Sequence, residues 1–271
     1  MIKITVKPNI INSKIEDYII HNIKISFGEI TSSELDFLQQ KIYNKFNQNI
    51  NIDIIRSIKS SYIKDYIIKH SYRLQKYSKY ILKQYKQQIN IMDISNKLLI
   101  SPISILRYIF NIQYDKKLKE LINNNLLNNY DKKQYEIAEQ NDIYNNLDQT
   151  IISIEAMRFE KSIETFLIKN NVDFLTQEQL TNEQITKYNH AIITPDFLIK
   201  SDLYINNHQI RWIDAKNFYG ANIDFIKTKI KKQIQKYIKS FGPGCIIFNH
   251  GLNSNIKFDN VILLNYQSFY I

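Results

Sequence analysis

Two aspartates and a lysine lie close together in the segment ITPDFLIKSDLYINNHQIRWIDAKNFYG, residues 193–220. Successive side chains of a strand point to opposite faces, so Trp212, Asp214 and Lys216 are predicted to share one face. Asp196 opens the preceding predicted strand, and pairing of the two strands would bring its carboxyl group beside that of Asp214. Two such carboxylates repel each other unless one is protonated or a cation lies between them. A hard divalent cation such as Mg²⁺, bound by carboxylate oxygens and water, fits this arrangement.

Further polar residues on the flanking predicted helices extend this candidate site. Lys216 beside a metal ion suits phosphoryl chemistry, because it would orient the attacking water and stabilise charge growing on the phosphate. Glu160 is the favoured third carboxylate, since it stands where its helix would begin to face the sheet, whereas Glu164 is interpreted as a surface residue. Gln233 lies at the edge of the apolar stripe of helix 223–241 and would hold water or a phosphate oxygen.

The charge of the chain favours a polyanionic partner. The formal net charge is +10, which suits nucleic acid first and an anionic membrane surface second. Lys227 and Lys231 belong to a basic face of helix 223–241 that would follow a nucleic-acid backbone, although a merely solvated face is the alternative. No apolar run approaches the ~18 residues of a membrane span, so no spanning segment is expected, and nucleic acid rather than a membrane is the expected partner. Cys245 is the only cysteine, which excludes an internal disulfide and favours a reducing, intracellular environment.

The N-terminal part of the chain is predicted to be helical. Apolar residues recur at helical spacing from about residue 32 to residue 88, without proline or glycine. A short helix over 91–97, a turn, and a second helix with Ser101 as N-cap and Pro102 at its first position resemble a helix-turn-helix. The exposed positions early in the second helix, predicted to contact nucleic acid, are Ser104, Arg107 and Tyr108. An ordinary helical hairpin without a ligand is the alternative.

These patterns predict two domains, a helical region over residues 1–145 that contains the helix-turn-helix and an α/β region over residues 146–271. In the second region the expected order is a helix, three strands, a helix and one or two final strands, with a hairpin through Asn206 and Asn207. This order describes a small mixed sheet flanked by helices.

The motifs TPDF, WIDAK and FGPG, together with QIQKYIKSFGPG and NNVDFLTQEQL, resemble the TPD-motif group of the PD-(D/E)xK nuclease superfamily. The resemblance covers most of residues 90–271 and implies a restriction-endonuclease-like domain that uses Mg²⁺, with Mn²⁺ as a substitute. It implies that Glu160, Asp196 and Asp214 bind the metal, that Lys216 is the catalytic lysine, and that Gln233 is the helix glutamine. Asp214 departs from the animal members, which carry glutamate there, and the shorter side chain would change the distance to the metal.

The resulting hypothesis is a Mg²⁺-dependent nuclease, a phosphodiester hydrolase whose substrate is expected to be DNA rather than RNA. The alternative is a catalytically silent nuclease fold that binds nucleic acid or a codanin-like protein partner, as the link of the family to codanin implies. The resemblance alone favours a nuclear over a cytoplasmic location. The choice between endonuclease and exonuclease action stays open.

Overall fold

The computed structural model describes residues 1–8, 10–145 and 150–266 and divides the chain into two compact units. The first unit comprises Met1–His21, Ile42–Ile58 and Thr150–Ile271. The second unit comprises Asn22–Lys41 and Lys59–Gln149. The domain boundary predicted between residues 145 and 146 stays a prediction, and it adjoins residues 146–149, which lie outside the described part. No helix in the described ranges is long and apolar enough to cross a bilayer.

The first unit contains all the strands that the structure describes. They are β1 (Ile2–Ile4), β2 (Ile10–Ile11), β3 (Phe174–Thr176), β4 (Phe197–Ile205), β5 (His208–Lys216), β6 (Gly244–Phe248), β7 (Leu252–Asn253) and β8 (Val261–Asn265). The main sheet has the order β1-β4-β5-β6-β8, and β3 also pairs with β4. The β4–β5 and β3–β4 pairs are antiparallel and the others parallel, so this is the mixed sheet that was predicted. Strands β2 and β7 form a separate parallel pair.

The hairpin between β4 and β5 turns at Asn206 and Asn207, as predicted. Both residues have positive φ angles, 50° and 65°, which a two-residue type I′ turn requires and which asparagine tolerates. The Asn206 side chain also exchanges two hydrogen bonds of 2.9 Å with the backbone of Val6. The turn therefore also binds the N-terminal segment that follows β1.

Helices cover both faces of the main sheet. On one face, α10 (Thr150–Lys169) buries Phe159, Ile163 and Leu167 against a core that includes Ile213 and Cys245. On the other face, α12 (Asp224–Phe241) buries its apolar stripe in a core with Trp212. Successive side chains of β5 point to opposite faces of the sheet, so Ile213 faces α10 and Trp212 faces α12. The remaining helices with residues in this unit are α1 (Ser13–Asn22), α2 (Ser32–Phe46), α3 (Ile52–Lys69) and α11 (Gln177–Tyr188).

The second unit is helical and contains, besides parts of α2 and α3, six complete helices among its described residues. They are α4 (Arg73–Lys76), α5 (Ser78–Lys86), α6 (Ile91–Leu98), α7 (Pro102–Tyr114), α8 (Leu118–Asn123) and α9 (Asn129–Asn141). The predicted pair of helices is confirmed as α6 and α7. The hydroxyl of the N-cap Ser101 accepts the Ser104 backbone N–H at 3.1 Å, which starts α7 where the Ser-Pro pair indicated.

Three sequence predictions about the elements were wrong. The N-terminal region is not all helical, because β1 and β2 lie within it and pair with strands near the other end of the chain. Helix α11 was missing from the predicted order of elements, although Thr176 and Gln179 form a capping box at its start. The strand that Asp196 was predicted to open begins only at Phe197, so Asp196 precedes the ladder.

Candidate active site

The two aspartates meet where β4 and β5 pair. Phe197 lies opposite Ile213, so the next position of the antiparallel register brings Asp196 opposite Asp214. Asp196 is fixed there by its own side chain, because its Oδ2 atom accepts the backbone N–H of Ala215 at 2.6 Å. The register of this strand pair therefore brings together the two carboxylates that the sequence separates.

Asp214 is almost completely buried, with 1% of its surface exposed. Lys216 Nζ lies 2.5 Å from Asp214 Oδ2, an ion pair between two residues on the same face of β5. Apart from this ion pair, the Oδ2 atom has no polar contact with a described residue. Buried carboxylate oxygens normally have hydrogen-bond partners, so this atom retains capacity for a further ligand.

Gln233 links the lysine and the aspartate from the adjacent helix α12. Its Oε1 atom accepts Lys216 Nζ at 3.0 Å, and its Nε2 atom donates to Asp214 Oδ1 at 3.1 Å. The same Nε2 group also donates to the Tyr237 hydroxyl at 2.8 Å, one helical turn further on. The structure thus places Gln233 beside Asp214 and Lys216, and it adds Tyr237, which the sequence analysis did not select.

Burial raises the pKa values of all three acids in this region, and the charge of Asp214 adds to the increase at Asp196 and Glu160. Burial, and then the charge of Asp214, raise the pKa of Asp196 above its usual value. Burial likewise raises the pKa of Asp214, although the positive charge of Lys216 opposes the increase. For Glu160 on α10, burial and the charge of Asp214 raise the pKa, so Glu160 lies within electrostatic range of the site. A positive ligand would relieve this accumulation of negative charge.

The donor set fits a hard divalent cation held mainly by Asp196 and Asp214. Mg²⁺ is commonly bound through one or two carboxylates, with water and substrate phosphate completing its ligands. The Oδ2 atom of Asp214, whose partner among the described residues is Lys216, supplies one suitable oxygen. Among the described residues, no three acidic, histidine or cysteine side chains converge as a ligand set. Direct ligation by Glu160 therefore stays a prediction. Glu164 forms a 2.7 Å ion pair with the exposed Lys161.

The only tryptophan of the chain, Trp212, packs against two glycines near the site, Gly242 and Gly244. Trp212 is fully buried, and its indole N–H donates to the Gly242 carbonyl oxygen at 2.9 Å. A Cβ atom added at Gly244 would lie 2.1 Å from the indole ring, so the close approach of the two strands requires glycine there. Gly220 similarly packs against Phe248 and Leu252. Trp212 is thus a core residue, next to Asp214 on the same face of β5.

The residues predicted to bind nucleic acid lie in two clefts, one in each unit. Lys227 and Lys231 line a cleft of about 480 Å³ beside α12, together with Lys257, and Lys227 also pairs with Asp224 at 3.0 Å. In the helical unit, the predicted contact residues of α7 line a second cleft of about 570 Å³. They are Ser104, Arg107 and Tyr108. Nucleic-acid binding by either group stays a prediction.

A buried carboxylate that the sequence analysis did not select supports the loop after Lys216. Glu16 on α1 is 2% exposed and accepts the Tyr219 hydroxyl at 2.9 Å, the Asn253 side-chain amide at 2.5 Å and the Asn222 backbone N–H at 3.2 Å. Ser57 on α3 accepts the Tyr219 backbone N–H at 2.8 Å. No local signal distinguishes Glu16 in the sequence, because its partners are about 200 residues away.

The fold and the site together define an α/β protein with a mixed sheet and a buried acid–lysine cluster on one strand pair. The family model described as "Protein of unknown function TPD sequence-motif" matches residues 114–267, more than half of the chain. The protein therefore belongs to the TPD sequence-motif family. No solved structure matches the chain significantly, so a PD-(D/E)xK nuclease fold stays a prediction.

Relatives of the chain occur in a virus and in animals. Uncharacterized protein L539 of Acanthamoeba polyphaga mimivirus is 34% identical over 112 residues, which cover 40% of this chain and 39% of that protein. CDAN1-interacting nuclease 1 of Danio rerio is 22% identical over 178 residues, 61% of this chain and 57% of the relative. The Mus musculus protein of the same name is 29% identical over 92 residues, 34% of this chain and 30% of the relative. Each alignment thus spans less than two thirds of the relative.

Proposed function

We propose that this protein is a metal-dependent nuclease that hydrolyses phosphodiester bonds in nucleic acid, with DNA as the substrate and Mg²⁺ as the cofactor. The observation that carries the proposal is the buried cluster of Asp196, Asp214 and Lys216, with Gln233 hydrogen-bonded to both members of the ion pair. Two relatives that carry the word nuclease in their names support the same class.

Asp196 and Asp214 would hold the metal ion, and Mn²⁺ would substitute for Mg²⁺. When bound, such an ion polarises the phosphoryl oxygens and lowers the pKa of coordinated water. Glu160 would act from α10 as a third acid, directly or through water. Its raised pKa indicates that it already experiences the charge of Asp214.

Lys216 is the cation that the chain itself places at the site. Its side chain is 16% exposed, so its charge acts from a largely water-excluded position, where electrostatic interactions are strong. We assign it two tasks, to orient the attacking water and to stabilise negative charge on the phosphate. Gln233 would hold the ammonium group in place and limit the side-chain entropy lost when substrate binds.

The net reaction is the addition of water to phosphorus in line with the leaving group. The phosphorus–O3′ bond breaks, the 3′ oxygen takes up a proton, and the products carry a 5′ phosphate and a 3′ hydroxyl. Lys227 and Lys231 would hold the backbone of the substrate near α12, while Ser104, Arg107 and Tyr108 would hold it at the helical unit.

The test is cleavage of labelled DNA and RNA single strands, duplexes, flaps and junctions with Mg²⁺ or Mn²⁺. Asp196→Asn and Lys216→Met proteins are compared with wild type, and Lys200→Met serves as the control because Lys200 is an exposed lysine of β4. We expect cleavage by wild type and the control and loss of about 10²-fold or more in both site variants. Equal cleavage by wild type and both site variants would contradict the site assignment.

A second candidate function is a nuclease-like scaffold that binds nucleic acid or a codanin-like protein. The lack of three converged ligands among the described residues favours it, as does the name of the animal relatives. Calorimetry with Mg²⁺ or Mn²⁺ separates the two functions. The nuclease requires a binding signal that Asp196→Asn weakens, whereas no metal binding together with no cleavage supports the scaffold.

A further inference from the structure

The cleft of about 570 Å³ in the helical unit is lined by basic, polar and apolar side chains, and no acidic side chain lines it. Arg107 and Asn111 on α7 line it on one side, and Lys117 and Lys119 near the start of α8 line it on the other. Lys116 pairs with Glu120 at 3.4 Å, but neither Lys117 nor Lys119 forms an ion pair with a described residue. These two lysines are therefore available to an anionic ligand.

The same cleft offers an aromatic ring and apolar walls. Tyr108 is half-buried within the lining, and Leu74 and Leu118 complete the apolar part. The volume of about 570 Å³ lies in the range of ~300–1,000 Å³ that is typical of small-molecule sites. A ring beside cations is the combination that nucleic-acid proteins use to stack a base while they neutralise its phosphate.

The shape of the cleft argues against insertion of α7 into a DNA duplex. A recognition helix must protrude, because the major groove is about 8.5 Å deep and must receive the helix itself. Helix α7 instead buries one face, which includes Ile103, Leu106, Ile109 and Phe110, and the opposite side of its first half lines the cleft that it shares with residues of α8. The exposed residues of α7 thus face a cleft that residues of α8 also line, and this arrangement favours an unpaired strand over a duplex as the ligand.

We propose that this cleft binds a nucleotide of single-stranded nucleic acid, with its phosphate on Lys117, Lys119 and Arg107 and its base on Tyr108. The proposal rests on the proposed function for the identity of the ligand as nucleic acid. It differs from the helix-turn-helix hypothesis in the substrate class, which becomes a single strand or an unpaired end instead of a duplex.

Binding is measured by fluorescence anisotropy in the presence of a chelator, so that cleavage plays no part. The probes are short oligo(dT), short oligo(U) and a mixed-sequence DNA duplex. The variants are the double change Lys117→Ala/Lys119→Ala, and Tyr108→Leu beside Tyr108→Phe. The control is Lys132→Ala/Lys133→Ala, two exposed lysines of α9 outside the cleft.

Wild type is expected to bind a single strand more tightly than the duplex. The cleft lysine pair should weaken this binding about ten-fold and reduce the salt slope by up to about 0.7, since the two lysines hold one phosphate and each neutralised phosphate contributes ~0.7 for single strands. Tyr108→Leu should weaken binding about five-fold or more, and Tyr108→Phe should restore it, because only the ring stacks. The control should bind as wild type does.

Three results would overturn the proposal: no single-strand binding, equal loss in the control pair, or tighter duplex binding that the cleft changes reduce. Oligo(dT) and oligo(U) distinguish DNA from RNA within the proposal. The nuclease proposal can fail independently of this one. In that case the cleavage assay with Mg²⁺ or Mn²⁺ shows no activity, while single-strand binding in the presence of a chelator is retained.

Discussion

The carboxylate of Glu16 accepts a hydrogen bond from the Tyr219 hydroxyl at 2.9 Å, across 203 residues of sequence. Tyr219 lies three residues after Lys216, in the loop that joins β5 to α12. That loop sets the position of α12 relative to β5, and hence the contact between Gln233 and Lys216. Through Glu16, helix α1 thereby stabilises the loop on which the geometry of the candidate active site depends.

Tyr219→Phe should lower the free energy of unfolding by about 1–3 kcal/mol, because it removes one donor from a buried carboxylate. Glu16 would keep the Asn253 amide and the Asn222 N–H as partners. Denaturant unfolding followed by fluorescence of Trp212, the only tryptophan, reports on the unit that contains the sheet. Tyr43→Phe, at a 48% exposed tyrosine of the same unit, should change the free energy little.

The pH dependence of stability should change when Glu16 becomes glutamine. Burial raises the pKa of Glu16 above 4.5, and the charge of Asp17 adds to the increase. The hydrogen bonds that Glu16 accepts from Asn253, Tyr219 and Asn222 oppose it. A group with a raised pKa in the folded state contributes most stability below its unfolded pKa and loses that contribution as pH rises through the folded value. The free energy of unfolding of wild type minus that of Glu16→Gln should therefore fall as pH increases from 4.5. A difference that is constant or rises with pH would contradict the raised pKa.

Gly244→Ala should destabilise the protein by about 3 kcal/mol or more, because the new Cβ atom would lie 2.1 Å from the Trp212 ring. Adding Trp212→Phe should recover part of the loss, since the smaller ring leaves room. Unfolding followed by circular dichroism measures both proteins. Gly28→Ala is the matched control, because the nearest atom to its Cβ would be 3.7 Å away. Equal costs at the two glycines would exclude the steric explanation.

Asp196→Asn should raise the free energy of unfolding in the presence of a chelator, on the order of 1 kcal/mol, because it removes one of two adjacent negative charges. The asparagine oxygen can still accept the Ala215 N–H, so the backbone contact is retained. Asp202→Asn, at an exposed position of β4, should leave stability nearly unchanged. A destabilised Asp196→Asn protein would indicate that the carboxylates do not repel each other in the folded state.

Gln233→Leu should reduce the proposed cleavage about 10- to 100-fold, the usual effect of losing a group that orients a catalytic side chain. It removes the hydrogen bonds to Lys216 and Asp214 and keeps a side chain of similar size at this position of α12. The decrease should appear in kcat rather than in KM, because Gln233 acts through Lys216. Gln140→Leu, at an exposed position of α9, is the control. A loss confined to KM would instead indicate that Gln233 contacts substrate.

Several elements of the fold could be predicted because local physical chemistry determines them. Asn206 and Asn207 accept the positive φ angles of a tight hairpin, and Ser101 with Pro102 satisfies the requirements of a helix start. The alternation along β5 placed Asp214 and Lys216 on one face, which their ion pair confirms. The predicted roles of Glu160 and of the nucleic-acid-contacting residues stay predictions.

Long-range pairing decided what the sequence analysis missed. Strands β1 and β2 are too short to stand out, and they exist because the edges of β4 and β7 supply their hydrogen bonds. The role of Glu16 was missed for the same reason. It lies on an ordinary amphipathic helix, and its buried hydrogen bond comes from Tyr219, 203 residues away in the sequence.

By itself, the sequence determined the helix and hairpin signals, the order of acids and lysine, and the motifs that identify the TPD family. Each of these depends on residues that are neighbours in the chain or on one strand, where spacing alone sets which side chains share a face. Only the tertiary structure decided that Gln233 joins Asp214 to Lys216, that Gly244 makes room for Trp212, and that residues of α7 and α8 line a common cleft. Those contacts depend on packing between elements that are distant in sequence, which local propensity does not specify.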